Sequence, residues 1–343
     1  MQIWLAVTSR ADAVCCEPAF PRVAEGCSAL RKLVTPALVL FLLSPAIGEL
    51  LSGSSPPLEF FNPFAFALMA GLYGSGAVII RELKVRWHKD FRSVLLLGAA
   101  YGILEEGLMA KSFFDPNWAD LGALGSFGRY AETSFVWAEM LIIYHAVFSI
   151  TIPIALAELA YPHKKDEPWI GKRLFVALLA VLVTVTVIGF LYLTPYRPPA
   201  AQYMLAALAM VLFGYAAYRL PARSQTENTG RTGRPRTLFA VGALGSTAFF
   251  MLFWEGPYTT DSPLVIMAMG IALAYLMKRF YFRYDWRNPS MTMTRLAAVA
   301  GALSFMIFLA FTLELQMPGM SIVALTTIAG LLLLRRKIRM EAR

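Results

Sequence analysis

KRLFVALLAVLVTVTVIGFLYL, residues 172–193, decides the fold. From Leu174 to Leu193 it carries no charge, and a run of roughly 20 apolar residues is what a helix needs to cross a hydrocarbon core of about 30 Å. Working outward from this span (about 173–194), nine further stretches read the same way. They are about 34–52, 63–81, 93–113, 135–160, 201–219, 238–254, 262–279, 295–313 and 317–334. In lipid each segment must satisfy its own backbone hydrogen bonds, which makes helix the reading; the ten-residue alternating segments of a barrel are absent. The predicted fold class is all-α, a polytopic transmembrane helical bundle of about ten spans.

Composition agrees: 58% of residues are hydrophobic and 15% charged, against about 25% charged in an ordinary soluble domain. The basic residues orient the chain. All but three of the 31 Lys and Arg residues fall before span one, after every even span, or in the tail; Lys111, Arg129 and Arg197 alone lie on the other side. By the positive-inside rule both termini are cytoplasmic, in a plasma-membrane protein. The net charge of +9 is thereby accounted for with membrane lipid as partner and no nucleic acid.

The chain divides into a cytoplasmic N-terminal extension (1–33), a first bundle (34–219), a polar Gly-rich linker (220–237), a second bundle (238–334) and a basic tail (335–343). Cys15, Cys16 and Cys27 all fall in the extension and read as free thiols on the reducing side. Asn62-Pro63 and Asp115-Pro116 each pair a helix-capping residue with a proline suited to a first helical turn. Trp118, Trp137, Trp254 and Tyr258 read as an outer aromatic belt.

Ionisable groups inside a span are expensive and mark sites. Spans one to four hold Glu49, Glu105, Glu106, Glu139, His145 and Glu158. In spans five to ten, Glu255 and Glu314 sit at outer ends. At 1.5 Å per residue, Glu105 and Glu106 lie about 10–13 Å below the outer face and His145 about 15 Å. Glu105, Glu106 and His145 are the candidate centre, with Glu49, Glu139, Ser149 and Tyr101 as candidate substrate-binding residues of a polar cavity opening outward. Adjacent Glu105 and Glu106 diverge by about 100° on an α-helix, too far to face one partner. Glu106 has Lys111 within reach as an ion-pair partner, and Glu158 reads as an inner-end residue near the cytoplasmic lysines. The glycines of span two (Gly71, Gly74, Gly76) read as packing contacts. No cofactor motif occurs, and a metal is left open.

The stretches ELLSGSSPPLEFFNP, EEGLMAKSFFDPNW and IYHAVFSITIP resemble an uncharacterised prokaryotic multi-span membrane family, a resemblance that implies no activity. GILEEGLMAKSFF, with His145 on the next span, also resembles the glutamate-dependent intramembrane proteases of the CAAX-processing type. Those carry arginine four residues after the second glutamate, where this chain has Ala110 followed by Lys111, and further histidines on later helices, where this chain has none. That resemblance implies water activation by Glu105 or Glu106 with His145 as base or ligand. Three functions remain: transport of a small solute or ion, which leads because a protease's full ligand set is missing; an intramembrane hydrolase; and a non-catalytic scaffold.

Overall fold

The computed structural model describes residues 35–222, 231–286 and 288–341. The three cysteines and residues 223–230 of the predicted linker lie outside them. The described chain is mostly helical. Its long helices are α1 (Pro36–Leu50), α2 (Pro63–Arg86), α3 (91–109), α4 (Phe135–Ala160), α5 (Lys172–Tyr192), α6 (Ala200–Arg219), α7 (Pro235–Thr259), α8 (Pro263–Tyr281), α9 (Pro289–Leu313) and α10 (Met320–Glu341). Seven of them, α2 and α4 to α9, are long and apolar enough to cross a membrane. α1 is apolar but shorter, α3 carries Arg92, Glu105 and Glu106, and α10 ends in a basic turn. A hairpin of two-residue strands, β1 (Arg129–Tyr130) and β2 (Thr133–Ser134), interrupts the loop between α3 and α4.

α4 is the hub. Its apolar window is 72% buried, against 6% for α6 and 11% each for α5 and α8, which face outward. Small residues let α3 approach it: a Cβ on Gly98 would meet Ala146 Cα at 2.8 Å, and one on Gly102 would meet the His145 Cβ at 3.1 Å. α7 and α9 close on each other similarly at Gly242 and Gly301, whose neighbours are the backbones of Ala298 and Phe239. The later helices share the core of the earlier ones. Phe148 of α4 packs on Phe249 and Phe250 of α7, and Lys337 of α10 donates to the Ala160 carbonyl at 2.6 Å.

Capping explains one predicted boundary and corrects another. Asn62 accepts hydrogen bonds from the Phe64 and Ala65 amides and starts α2. The Asp115 carboxylate accepts from the Asn117 amide at 3.0 Å, and its carbonyl accepts from the Trp118 amide, which forms a turn; no helix begins at Pro116, and α4 waits until Phe135. Trp137 is buried with its indole N–H on Ser112, 3.1 Å away, so it belongs to the core and not to an outer belt.

The C-terminal end of α2 also departs from expectation. The helix runs on to Arg86, and Arg81, Glu82 and Lys84 are buried within the fold instead of lying in a loop. Lys84 pairs with Glu158 of α4, and Arg81 lies 3.6 Å and Arg295 3.9 Å from the same carboxylate. Arg81 further donates to the carbonyls of Lys164, Lys165 and Glu167 and lies over the Trp169 ring. A buried charge persists only when paired and hydrogen-bonded, and here α2, α4, α9 and the 161–171 loop supply the partners together. Glu158 does meet lysine, as its position near the chain's basic loops implies.

Candidate functional site

Among the described residues, π-helix occurs in four stretches, one in each of α1 to α4: Ala46–Leu50, Ala70–Gly74, Ile103–Met109 and His145–Thr151. Every one carries a residue of a single polar cluster: Glu49, Tyr73, the pair Glu105 and Glu106, and His145 with Ser149. A π-turn inserts one residue into the α ladder and re-aims the side chains around it, which is why such turns recur at functional sites.

The pair is brought to one partner. His145 Nε2 lies 3.1 Å from Glu106 Oε1, and Nδ1 lies 3.3 Å from Glu105 Oε2. This overturns the expectation that adjacent glutamates cannot face one group. The expectation assumed α-helical winding; a π-turn winds more slowly, and imidazole offers nitrogens on two edges. Nδ1 also lies 3.0 Å from the Ser149 hydroxyl. Glu105 Oε2 has no aligned hydrogen-bond donor among the described residues.

Around the triad the structure adds Ser44, Ser55, Tyr73, Ser112 and Tyr144, which the sequence alone did not single out, to residues that it did. The second oxygen of Glu106 accepts from the Ser112 hydroxyl, which in turn accepts from Trp137. Tyr73 donates to Glu49, whose other oxygen accepts from Ser55 at 2.8 Å. Tyr144 donates to the Gly48 carbonyl at 2.7 Å, and Ser44 to the Ser149 carbonyl at 2.6 Å. The rings of Tyr73, Tyr101 and Tyr144 stand 6.0, 6.2 and 5.3 Å from the imidazole. The Tyr101 hydroxyl is buried with no aligned hydrogen-bond partner among the described residues. Tyr73 had a signal in sequence, since it lies between the close-packing glycines Gly71 and Gly74.

Glu49 therefore joins the cluster through Tyr73, without touching His145, and Ser149 and Tyr101 adjoin it. Glu139 does not. It points to α8, where its carboxylate abuts Gly270 beside Phe253, and neither oxygen has a hydrogen-bond partner among the described residues. Lys111 does not pair with Glu106 either. Its ammonium donates to the carbonyls of Phe190, Thr194 and Tyr196, at 2.8, 2.9 and 3.3 Å, and closes the end of α5. The contacts hold Lys111 in the left-handed region at φ 67°.

Exposure differs within the triad. The Glu106 side chain is 13% exposed, against 5% for Glu105 and 2% for His145. Glu106 lies toward Ser112 and the 110–134 loop; on the opposite side Ile150, Ile154 and Ala157 of α4 are fully buried. The cluster can exchange protons among three groups. One donor atom from each of Glu105, Glu106 and His145 also falls within 4.8 Å of the others, close enough to share a metal ion.

Comparison with known proteins gives the chain a family. A protein of Archaeoglobus fulgidus, described as an uncharacterized protein, is 26% identical over 251 residues, which cover 70% of this chain and 76% of that one. No solved structure matches. The matches give no support to a CAAX-type protease. A family model spans residues 38–339, which include all four π-helical stretches and every residue of the cluster, and the chain belongs to that family, the uncharacterized membrane protein family.

Proposed function

We propose that the chain is a ten-span protein of the plasma membrane, with both termini cytoplasmic, that moves a small solute or ion coupled to protons held by Glu105, His145 and Glu106. The observation that carries this reading is the placing of a different glutamate at each ring nitrogen of one buried histidine. A neutral imidazole has a single N–H. If that proton serves Glu106, Nδ1 is a lone pair, and Glu105 faces it in dry surroundings and must keep its own proton. If the ring carries both protons, each glutamate has a donor. Either way the triad stores one proton beyond the neutral ring's own. A proton relay on facing helices is a recurrent use of intramembrane Glu and His.

The alternation of basic loops supports the topology, and the exposure of Glu106 supports an outward opening. In the cycle this implies, a solute reaching Glu106 competes for the imidazole N–H, and the stored proton leaves by the same carboxylate.

The proton inventory tests the reading. The double variant His88→Gln/His163→Gln leaves His145 as the sole histidine. Nitrogen-15 resonances of its ring, together with the carboxyl infrared band, count the protons in lipid nanodiscs. The expected result is one extra proton, on the ring or on a carboxyl, that is lost from Glu105→Gln/Glu106→Gln. A neutral ring beside two ionised carboxylates overturns it.

A second reading, a metal-dependent intramembrane hydrolase, is favoured by the 4.8 Å convergence of the three donors. Only one ring nitrogen can bind a given ion, so Glu105 at Nδ1 would orient the ring while Nε2 and Glu106 hold a metal that activates water. Stoichiometric zinc binding abolished by His145→Gln would shift the assignment to this reading.

A further inference from the structure

A second site lies at the other end of the bundle, independent of the triad. The turn after α2 packs beside the C-terminus of α6, and Arg86, Trp87, His88, Lys89, Tyr218 and Arg219 line a cleft of about 440 Å³ there. No carboxylate lines it among the described residues.

The cleft is built from fixed parts. His88 takes the left-handed region at φ 53°, which folds the turn back so that the Lys89 amide donates to the Lys84 carbonyl at 2.8 Å. The Lys89 ammonium donates to the Leu220 carbonyl and lies 5.9 Å from the Tyr218 ring. Trp87 meets Tyr218 edge-on at 5.2 Å. Arg86 is held by Glu82 at 3.2 Å and by the Ile170 carbonyl at 2.8 Å.

Its charge can be counted. The C-termini of α2 and α6 both point here, each contributing about −0.5 charge. Glu82 lies against Arg86 but is shared with Arg81. Among the described residues Arg86, Lys89 and Arg219 then leave the cleft net positive, the sign that a phosphodiester needs. Tryptophan and tyrosine beside basic residues are the composition of a membrane interface, and basic pockets between helices at the cytoplasmic side hold anionic headgroups.

The surface of α6 beside the cleft bears on which anion would sit there. Leu208, Val211, Leu212 and Tyr215 recur at the spacing of one helix face, and each is more than half exposed. This apolar track runs up α6 toward Tyr218 and the cleft. A soluble anion would use the charge alone; a phospholipid uses the charge and the track. We propose that the cleft binds the phosphate headgroup of an anionic membrane phospholipid, with an acyl chain lying along α6.

The test uses the full-length protein in detergent, titrated with phosphatidylglycerol or phosphatidylcholine and read by native mass spectrometry. Phosphatidylglycerol is expected to bind in preference, and Lys89→Gln/Arg219→Gln to weaken it about tenfold or more, at roughly the contribution expected of two basic residues near an anionic surface. Because Lys89 also holds Leu220, Arg219→Gln alone is run beside it and should weaken binding severalfold with the thermal midpoint unchanged. Arg92→Gln, outside the cleft, should bind as the parent does. Equal binding of the two lipids, undiminished phosphatidylglycerol binding in both variants, or its full displacement by inorganic phosphate would overturn the proposal, the last by showing a site for free anions.

Discussion

Glu106 Oε1 stands 3.1 Å from His145 Nε2, while Ser112 occupies the other oxygen of the same carboxylate. One side chain thus joins the buried imidazole to the 110–134 loop, and it is the most exposed member of the triad. Removing its charge should act on function before it acts on folding. Glu106→Gln keeps the Ser112 contact and the side-chain volume. Transport activity should be abolished while membrane insertion and the thermal midpoint stay near those of the parent. An inactive variant that also fails to insert would assign Glu106 a structural part.

The π-turns should be sensitive to packing as well as to charge. A Cβ at Gly48 would meet the Ser149 Oγ and the Tyr73 ring, both at 2.8 Å, so Gly48→Ala forces α1 away from α2 and α4. Overpacking of this kind costs about 1–3 kcal/mol. The expected outcome is a lowered thermal midpoint together with lost activity, since Glu49, Tyr73 and Ser149 all shift. Gly122→Ala serves as a comparison: nothing lies near its Cβ, although its φ of +50° adds backbone strain.

Glu158 supplies the carboxylate for Lys84, with Arg81 and Arg295 close by. Breaking a buried pair from one side leaves an uncompensated charge and costs about 3–5 kcal/mol. Glu158→Gln should therefore unfold at markedly lower temperature. Adding Lys84→Met should recover part of the loss, because one stranded cation is gone. A single variant as stable as the parent would contradict this account of the buried Glu158 cluster.

Lys111 is buried, strained in φ and bonded to three carbonyls at the end of α5. Lys111→Met should lose about 2 kcal/mol or more, on the scale of hydrogen bonds to charged groups. Lys111→Gly relaxes the backbone but forfeits the same bonds, so it should also be destabilised. Differential scanning of purified protein distinguishes the two effects.

Glu314 follows α9 and caps the start of α10, accepting from the Gly319 amide at 3.1 Å and from the Ser321 amide. These two amides hold its carboxyl below the ordinary glutamate value. The unfolded chain therefore takes up the proton first as pH falls. The stabilisation is complete above the ordinary value of about 4.3 and fades as pH drops through the lowered one. The midpoint difference between parent and Glu314→Gln should be present at neutral pH and vanish on acidification.

Much of the architecture was legible because lipid leaves few choices. Apolar length and basic loops mark helices such as 172–193 without any tertiary information, and the polar residues of the first four spans stand out against that background. The convergence of Glu105 and Glu106 on His145 was not legible, because it depends on π-turns, which are a tertiary accommodation and have no period of their own in the sequence. Arg81 and Lys84 were read as loop residues since charge ordinarily marks a span's end; their partners lie some eighty residues away in Glu158 and the 164–167 carbonyls. Glu139 shares α4 with His145, yet a different face of the helix turns it to Gly270. Tyr73 and Ser112 are neutral, so a search for charge passed over them.

The central claim meets its most direct test in proton movement across a membrane. Purified protein is reconstituted into liposomes enclosing a pH-sensitive dye, and gradients of small cations and small neutral or anionic solutes are imposed in turn. At least one solute should drive proton flux in the parent, and Glu105→Gln/Glu106→Gln and His145→Gln should show none while inserting normally. Flux in the double glutamate variant equal to that of the parent, or no solute-driven flux in the parent, would contradict the account.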